Sequence, residues 1–136
     1  MADTYRIARL DEIPPPVPRE PGSYEWKPIR HHLGIHAFGV NAGIAPQAGD
    51  WVVEEHTELG SGAAGHEELY FVARGHARFS IDGEEVDAPA GTLVFVPDPA
   101  TLRSAKAEVA GTTVLCIGAK RGEAFEVSPW ERKYFR

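Results

Sequence analysis

Between His66 and Pro97 the chain reads HEELYFVARGHARFSIDGEEVDAPAGTLVFVP, a run that leaves little room for anything but paired strands. Its segments are short, rich in β-branched and aromatic residues, and punctuated by glycine. In HARFSI, Ala77, Phe79 and Ile81 share one face while His76, Arg78 and Ser80 share the other, the period of a half-buried strand. Asp82-Gly83 supplies the two positions that must accept positive φ in a type I′ hairpin turn. Gly75 and Gly91 stand where the chain turns between strands.

The same rhythm extends in both directions. IHAFGVNA (35–42), DWVVEEHTEL (50–59), LRSAKAEV (102–109) and TTVLCIGA (112–119) read as further strands, and GSGAAG (60–65) reads as a flexible loop. Six to eight short strands with regular turn signals predict an all-β barrel or sandwich. Residues 1–12 predict a short strand or arm. PPPVPREPG (14–22) holds five prolines, which fix φ and remove donors, so this piece is extended and stays out of a sheet interior. Tyr24 and Trp26 follow it, rings that need a surface to cover them. At the other end, Ser128-Pro129-Trp130-Glu131 fits a capping box with Pro at the first helical position. The organisation expected is an arm over 1–22, a barrel over 23–127 and a short helix over 128–136.

Composition narrows the function classes. The 136 residues are 43% hydrophobic and 25% charged, enough for one domain with its own core. The net charge of -6, with no Lys/Arg run, argues against nucleic acid and anionic membrane surfaces as partners. The single cysteine, Cys116, excludes an intrachain disulfide and reads as a small core residue. No leader or long apolar span is visible, so a reducing cytoplasm is expected. No Ser/His/Asp order, phosphate-binding glycine loop or CxxC pair appears.

Glu68 followed by six residues and Gly75, then Asp82-Gly83, then Gly91 followed by five residues and Pro97, resembles the two conserved motifs of the cupin superfamily. The resemblance covers roughly residues 49–118 and is to small, single-domain bacterial members with an RmlC-like jelly roll. It implies a double-stranded β-helix barrel, usually a homodimer, with a pocket inside. It also implies a metal held by three histidines and one carboxylate, and here the sequence departs from the pattern. The first two histidine positions fall on Gly62 and Ala64, or on Ser61 and Ala63. Pro99 replaces the glycine of the second motif, and Leu102, which cannot ligate, replaces its histidine.

If GSGAAG is an inserted loop, His56-Thr57-Glu58 moves into the place of the first histidine pair, with both side chains on one face. His66, Glu68 and Tyr70 also share a face. His56, Glu58, His66 and Glu68 are therefore the candidate ligands for zinc, iron or manganese. His66 and Glu68 are the candidate acid–base residues. Tyr70, Phe95, Leu102 and Arg103 are expected to line the pocket. Arg103 could hold a carboxylate substrate, although a surface ion pair is the expectation preferred. Glu54 and Glu55 are expected to be solvated acids on an edge strand, pointing opposite ways. Two function classes follow. One is a cupin that binds a small molecule without the usual three-histidine metal site. The other is a metal-dependent cupin enzyme, of dioxygenase or isomerase type, with an altered His/Glu site.

Overall fold

The computed structural model describes residues 4–135; the ends of the predicted arm (residues 1–3) and of the predicted helix (residue 136) lie outside the described residues. Nine strands are described: β1 (Glu25–Lys27), β2 (Gly39–Ala45), β3 (Trp51–His56), β4 (Glu67–Arg74), β5 (His76–Ile81), β6 (Glu84–Pro89), β7 (Leu93–Val96), β8 (Arg103–Ala107) and β9 (Thr112–Ala119). They form two sheets, β1-β2-β9-β4-β7 and β3-β8-β5-β6, in which every pair is antiparallel. The sheets enclose one core. Tyr70, Val72, Val96 and Val114 from the first meet Val53, Ala77, Phe79, Ala88 and Ala105 from the second. This is the all-β architecture expected, including the predicted split of HARFSI into two faces: Ala77 and Phe79 are completely buried and Arg78 is exposed.

The hairpin joining β5 and β6 turns at Asp82 (φ 48°) and Gly83 (φ 85°), with Ile81 opposite Glu84. At Gly75 two constraints coincide. Its φ is +77°, and a Cβ there would stand 2.5 Å from Thr112 Oγ1 and 2.8 Å from Thr112 Cα. Glycine is the residue that satisfies both.

Three local readings change. The segment read as a strand from residue 35 enters the sheet only at Gly39. Before it lies a helix, α1 (Ile29–Leu33), ended by Gly34 at φ 72°. A second helix, α2 (Pro129–Arg132), starts with Pro129 as predicted, but the capping box does not form. Ser128 makes no side-chain cap bond, and Glu131 is drawn instead to Arg30 at 2.6 Å. In β3 the register slips twice against β8, between Trp51 and Val53 and again before His56. Such bulges break strict alternation, so Val52 and Val53 are both buried and Glu54 and Glu55 are both exposed.

The arm lies on its own domain. Residues 4–9 are exposed, a 3-10 turn follows at Leu10–Glu12, and Ile13 is buried with its carbonyl accepting a 2.7 Å bond from Lys27 Nζ. Arg6 Nη1 donates to the carbonyl of Leu33 at 2.8 Å. No described helix is long and apolar enough to cross a membrane.

Candidate functional site

A cavity of about 470 Å³ opens between the sheets. Its mouth is aromatic: Tyr24, Trp26, Trp130 and Tyr134 line it, with the Trp26 ring tilted at 56° against Trp130 at 5.2 Å and against Tyr134 at 5.3 Å. Two of these rings arrive on α2 and the residues after it. The Arg30–Glu131 ion pair and a backbone bond from Trp130 N to Gly62 O in the glycine-rich loop hold that segment in place.

The interior is polar and converges on Glu68. Tyr70 Oη donates to Glu68 Oε1 at 2.6 Å, and Cys116 Sγ donates to Oε2 at 3.2 Å. His56 Nε2 lies 3.2 Å from Glu58 Oε2 and 3.4 Å from Glu68 Oε1, while its Nδ1 bonds the Glu54 carbonyl at 2.7 Å. Both ring nitrogens therefore face acceptors, which favours the imidazolium. Burial works against that charge, but the bonds to Glu58, Glu68 and the Glu54 carbonyl outweigh it and hold the His56 pKa up to about 10. At Glu68, burial pushes upward, and the bonds from His56, Tyr70 and Cys116 overcome it and keep the carboxyl below its ordinary range. Burial and the neighbouring Glu68 charge raise the Cys116 thiol, and burial, Cys116 and Glu68 raise the Tyr70 hydroxyl; both thus stay protonated donors.

Arg103 completes the cluster from β8. It was expected near the pocket with a surface ion pair preferred, and the structure corrects that preference: it is 0% exposed, with Nη2 3.7 Å from Glu68 Oε1. Strand alternation is the reason. Leu102 faces outward and is 40% exposed, so Arg103 faces in. The same rule removes Phe95 from the pocket. Val96 takes an inward position in β7 and is buried, whereas Phe95 is 55% exposed. Of the four residues expected in the pocket, Tyr70 lines the cavity, Arg103 touches its floor through Glu68, and Phe95 and Leu102 lie outside.

Of the four candidate ligands, His56, Glu58 and Glu68 bring one ligand atom each within 4.8 Å of one another. His66 stands apart from that triad. It is buried on the same side of the sheet as Glu68, next to Gly118, but its ring packs 5.3 Å from Phe125 in a small recess behind the cavity. Cys116, read as a small core residue, packs against the core and is a site residue as well. Its register opposite Tyr70 on the neighbouring strand puts it there, and no local sequence signal carries that pairing. The mouth aromatics left a partial signal, since Tyr24 and Trp26 called for a cover whose identity the sequence did not give.

The triad meets a divalent ion in donor number and reach. It does not fit one in its present bonding. Oε1 of Glu68 already receives Tyr70 and faces His56 and Arg103, Oε2 receives Cys116, and Nε2 of His56 is turned to two carboxylates as a donor. Two cations, His56 and Arg103, already stand against two carboxylates.

Two antiparallel sheets packed around a cavity make a β-sandwich, and the comparisons agree on which kind. No family model matches the chain, and no curated protein matches it. Solved structures do. A cupin protein from Bacteroides fragilis is 20% identical, with 93% of each chain covered and a TM-score of 0.65. A predicted oxalate decarboxylase from Thermotoga maritima is 19% identical over 83% of this chain and 97% of that one, with a TM-score of 0.62. A sugar phosphate isomerase of the cupin superfamily from Silicibacter pomeroyi is 17% identical over 70% of this chain and 58% of that one, with a TM-score of 0.56. The chain has the cupin fold, in one small domain.

Proposed function

We propose that the protein binds a small molecule in the barrel without the usual three-histidine metal site. The observation that carries this reading is the cavity: about 470 Å³, ringed by four aromatic side chains, over a floor whose charges balance within the chain. Sites for small ligands have this size and this mixture of apolar wall and few convergent polar groups. Glu68 is the acid–base candidate of that floor, with His66 in the recess behind it. A thermal-shift screen of metabolites, followed by tryptophan-fluorescence titration of the hits, tests the reading. Binding that survives in both Trp130→Ala and Tyr70→Phe would remove the ligand from the barrel.

One observation favours the metal-dependent reading, as a dioxygenase or isomerase. His56 donates through Nδ1 to a backbone carbonyl and presents Nε2 to two carboxylates, the orientation that imidazole ligands of zinc, iron or manganese adopt. Metal analysis of untagged protein tests it; a stoichiometric transition metal that disappears in His56→Ala would make this reading the better one.

A homodimer is part of the proposal. Phe95, Leu69 and Ile117 lie in register across β7, β4 and β9, as do Leu93, Phe71 and Leu115. The outer face of that sheet is thus apolar where solvent-facing polar residues would be usual, and Leu93 is 62% exposed. The arm carries Tyr5 and Ile7, 78% and 86% exposed, yet it is tied beside β1, at the edge of the sheet opposite β7. A second copy covers both. Sedimentation of the wild type against Leu93→Asp/Phe95→Asp tests this, with a monomeric wild type as the adverse result. The single cysteine and the acidic charge fit a cytoplasmic protein without nucleic-acid or membrane partners.

A further inference from the structure

Four groups surround Glu68, and one of them, Arg103, carries a permanent positive charge that the three-histidine pattern lacks. Arg103 enters β8 opposite Ile81, is completely buried, and spends only one nitrogen on the backbone: Nη1 donates to the Thr101 carbonyl at 2.9 Å. Its Nε and Nη2 have no hydrogen-bond partner, although Nη2 lies 3.7 Å from Glu68 Oε1. A buried guanidinium so poorly bonded is costly unless nearby negative charge holds it. The nearest such charge is Glu68, one of the two carboxylates that would otherwise face a metal ion. Guanidinium cannot shed its proton to make room for another cation. A divalent ion at His56, Glu58 and Glu68 would share Glu68 with a permanent positive charge only 3.7 Å away at the largely buried floor of the cavity, where like charges repel.

We propose that Arg103 is a built-in cation that takes the electrostatic place of a divalent metal, keeping the His56/Glu58/Glu68 triad metal-free and Glu68 fixed among its donors. Arg103 is in this sense a positioning residue. The inference rests on the metal-free reading above and adds its cause. Leu102, the residue that replaces the expected histidine, faces solvent, so its loss of ligating capacity is not what decides the matter. The inward residue one position later is.

The test compares untagged wild type with Arg103→Met, Arg103→Gln and Arg103→Lys, each incubated with Zn2+ or Mn2+, dialysed, and assayed by elemental analysis and calorimetry. Wild type and Arg103→Lys are expected to retain only traces. Arg103→Met and Arg103→Gln are expected to retain stoichiometric Zn2+ and to bind it roughly tenfold or more tighter than wild type, since removing a nearby like charge is worth at least that much. That gain should disappear when His56→Ala is added. Stoichiometric metal in the wild type would overturn both this inference and the metal-free reading. A metal-free wild type with equally metal-free neutral variants would overturn the inference alone. A variant that folds poorly is still informative, because metal bound at the native triad must raise its melting temperature; no rise on adding Zn2+ counts against the proposal.

Discussion

Arg30 Nε donates to Glu131 Oε2 at 2.6 Å, joining α1 to α2 across 101 residues of chain, and both side chains are buried. Asn41 Nδ2 adds a 3.3 Å bond to the other carboxylate oxygen. The pair holds the segment that brings Trp130 and Tyr134 to the cavity mouth. Glu131→Ala would leave a buried guanidinium uncompensated and should cost about 3–5 kcal/mol. The double variant Arg30→Met/Glu131→Leu should recover most of that loss. Urea denaturation of the two variants checks the contrast, and equal destabilisation would refute it.

Phe79 is completely buried and packs 5.6 Å from the ring of Tyr70, bridging the two sheets. Phe79→Ala removes contacts from both layers and should cost about 3–5 kcal/mol. Because Tyr70 is the donor to Glu68 at 2.6 Å, the same change should also weaken any ligand found for the cavity. Denaturant midpoints and ligand titration read the two effects separately.

Gly75 and Gly83 both have positive φ, but they differ in space. A Cβ at Gly75 meets Thr112 at 2.5 Å, and one at Gly83 meets nothing within 4 Å. Gly83→Ala should cost about 1–2 kcal/mol, from backbone conformation alone. Gly75→Ala adds overpacking against β9 and should cost about 1–3 kcal/mol more. Equal melting temperatures for the two variants would contradict this.

His56 has its pKa raised from 6.5 to about 10 in the folded state. Between those values the native state holds a proton that the unfolded chain has released, so stability falls as pH rises. The contribution of His56 is complete below about pH 6.5 and is lost as pH climbs toward about 10. Wild type should therefore lose stability relative to His56→Gln across that window. A difference between the two that stays constant with pH would show that the imidazole is not held as the cation.

Much of this site was legible in single strands. The family resemblance carried by Glu68, Gly75, Gly91 and Pro97 implied the jelly roll, and alternation placed Glu68 and Tyr70 on one face together. Shifting His56-Thr57-Glu58 past a loop brought the right imidazole and carboxylate to Glu68. Where the reading missed, the missing information was non-local. Alternation says only that Leu102 and Arg103 point opposite ways; which of them points inward depends on the register of β8 against β5 and the bulged β3. The same applies to Phe95, whose outward position follows from how β7 meets β4.

The amino-acid order by itself determined most of the strands from β3 onward, the turns that need glycine and the inward face of β4, because each depends on neighbours within a few residues. Only the tertiary structure decided that Arg103 stands beside Glu68, that Cys116 is a donor at the site, and that Glu131 leaves its own helix cap for Arg30. Those outcomes depend on burial and charge pairing between residues far apart in sequence, where a buried cation must find its carboxylate wherever the fold has put one.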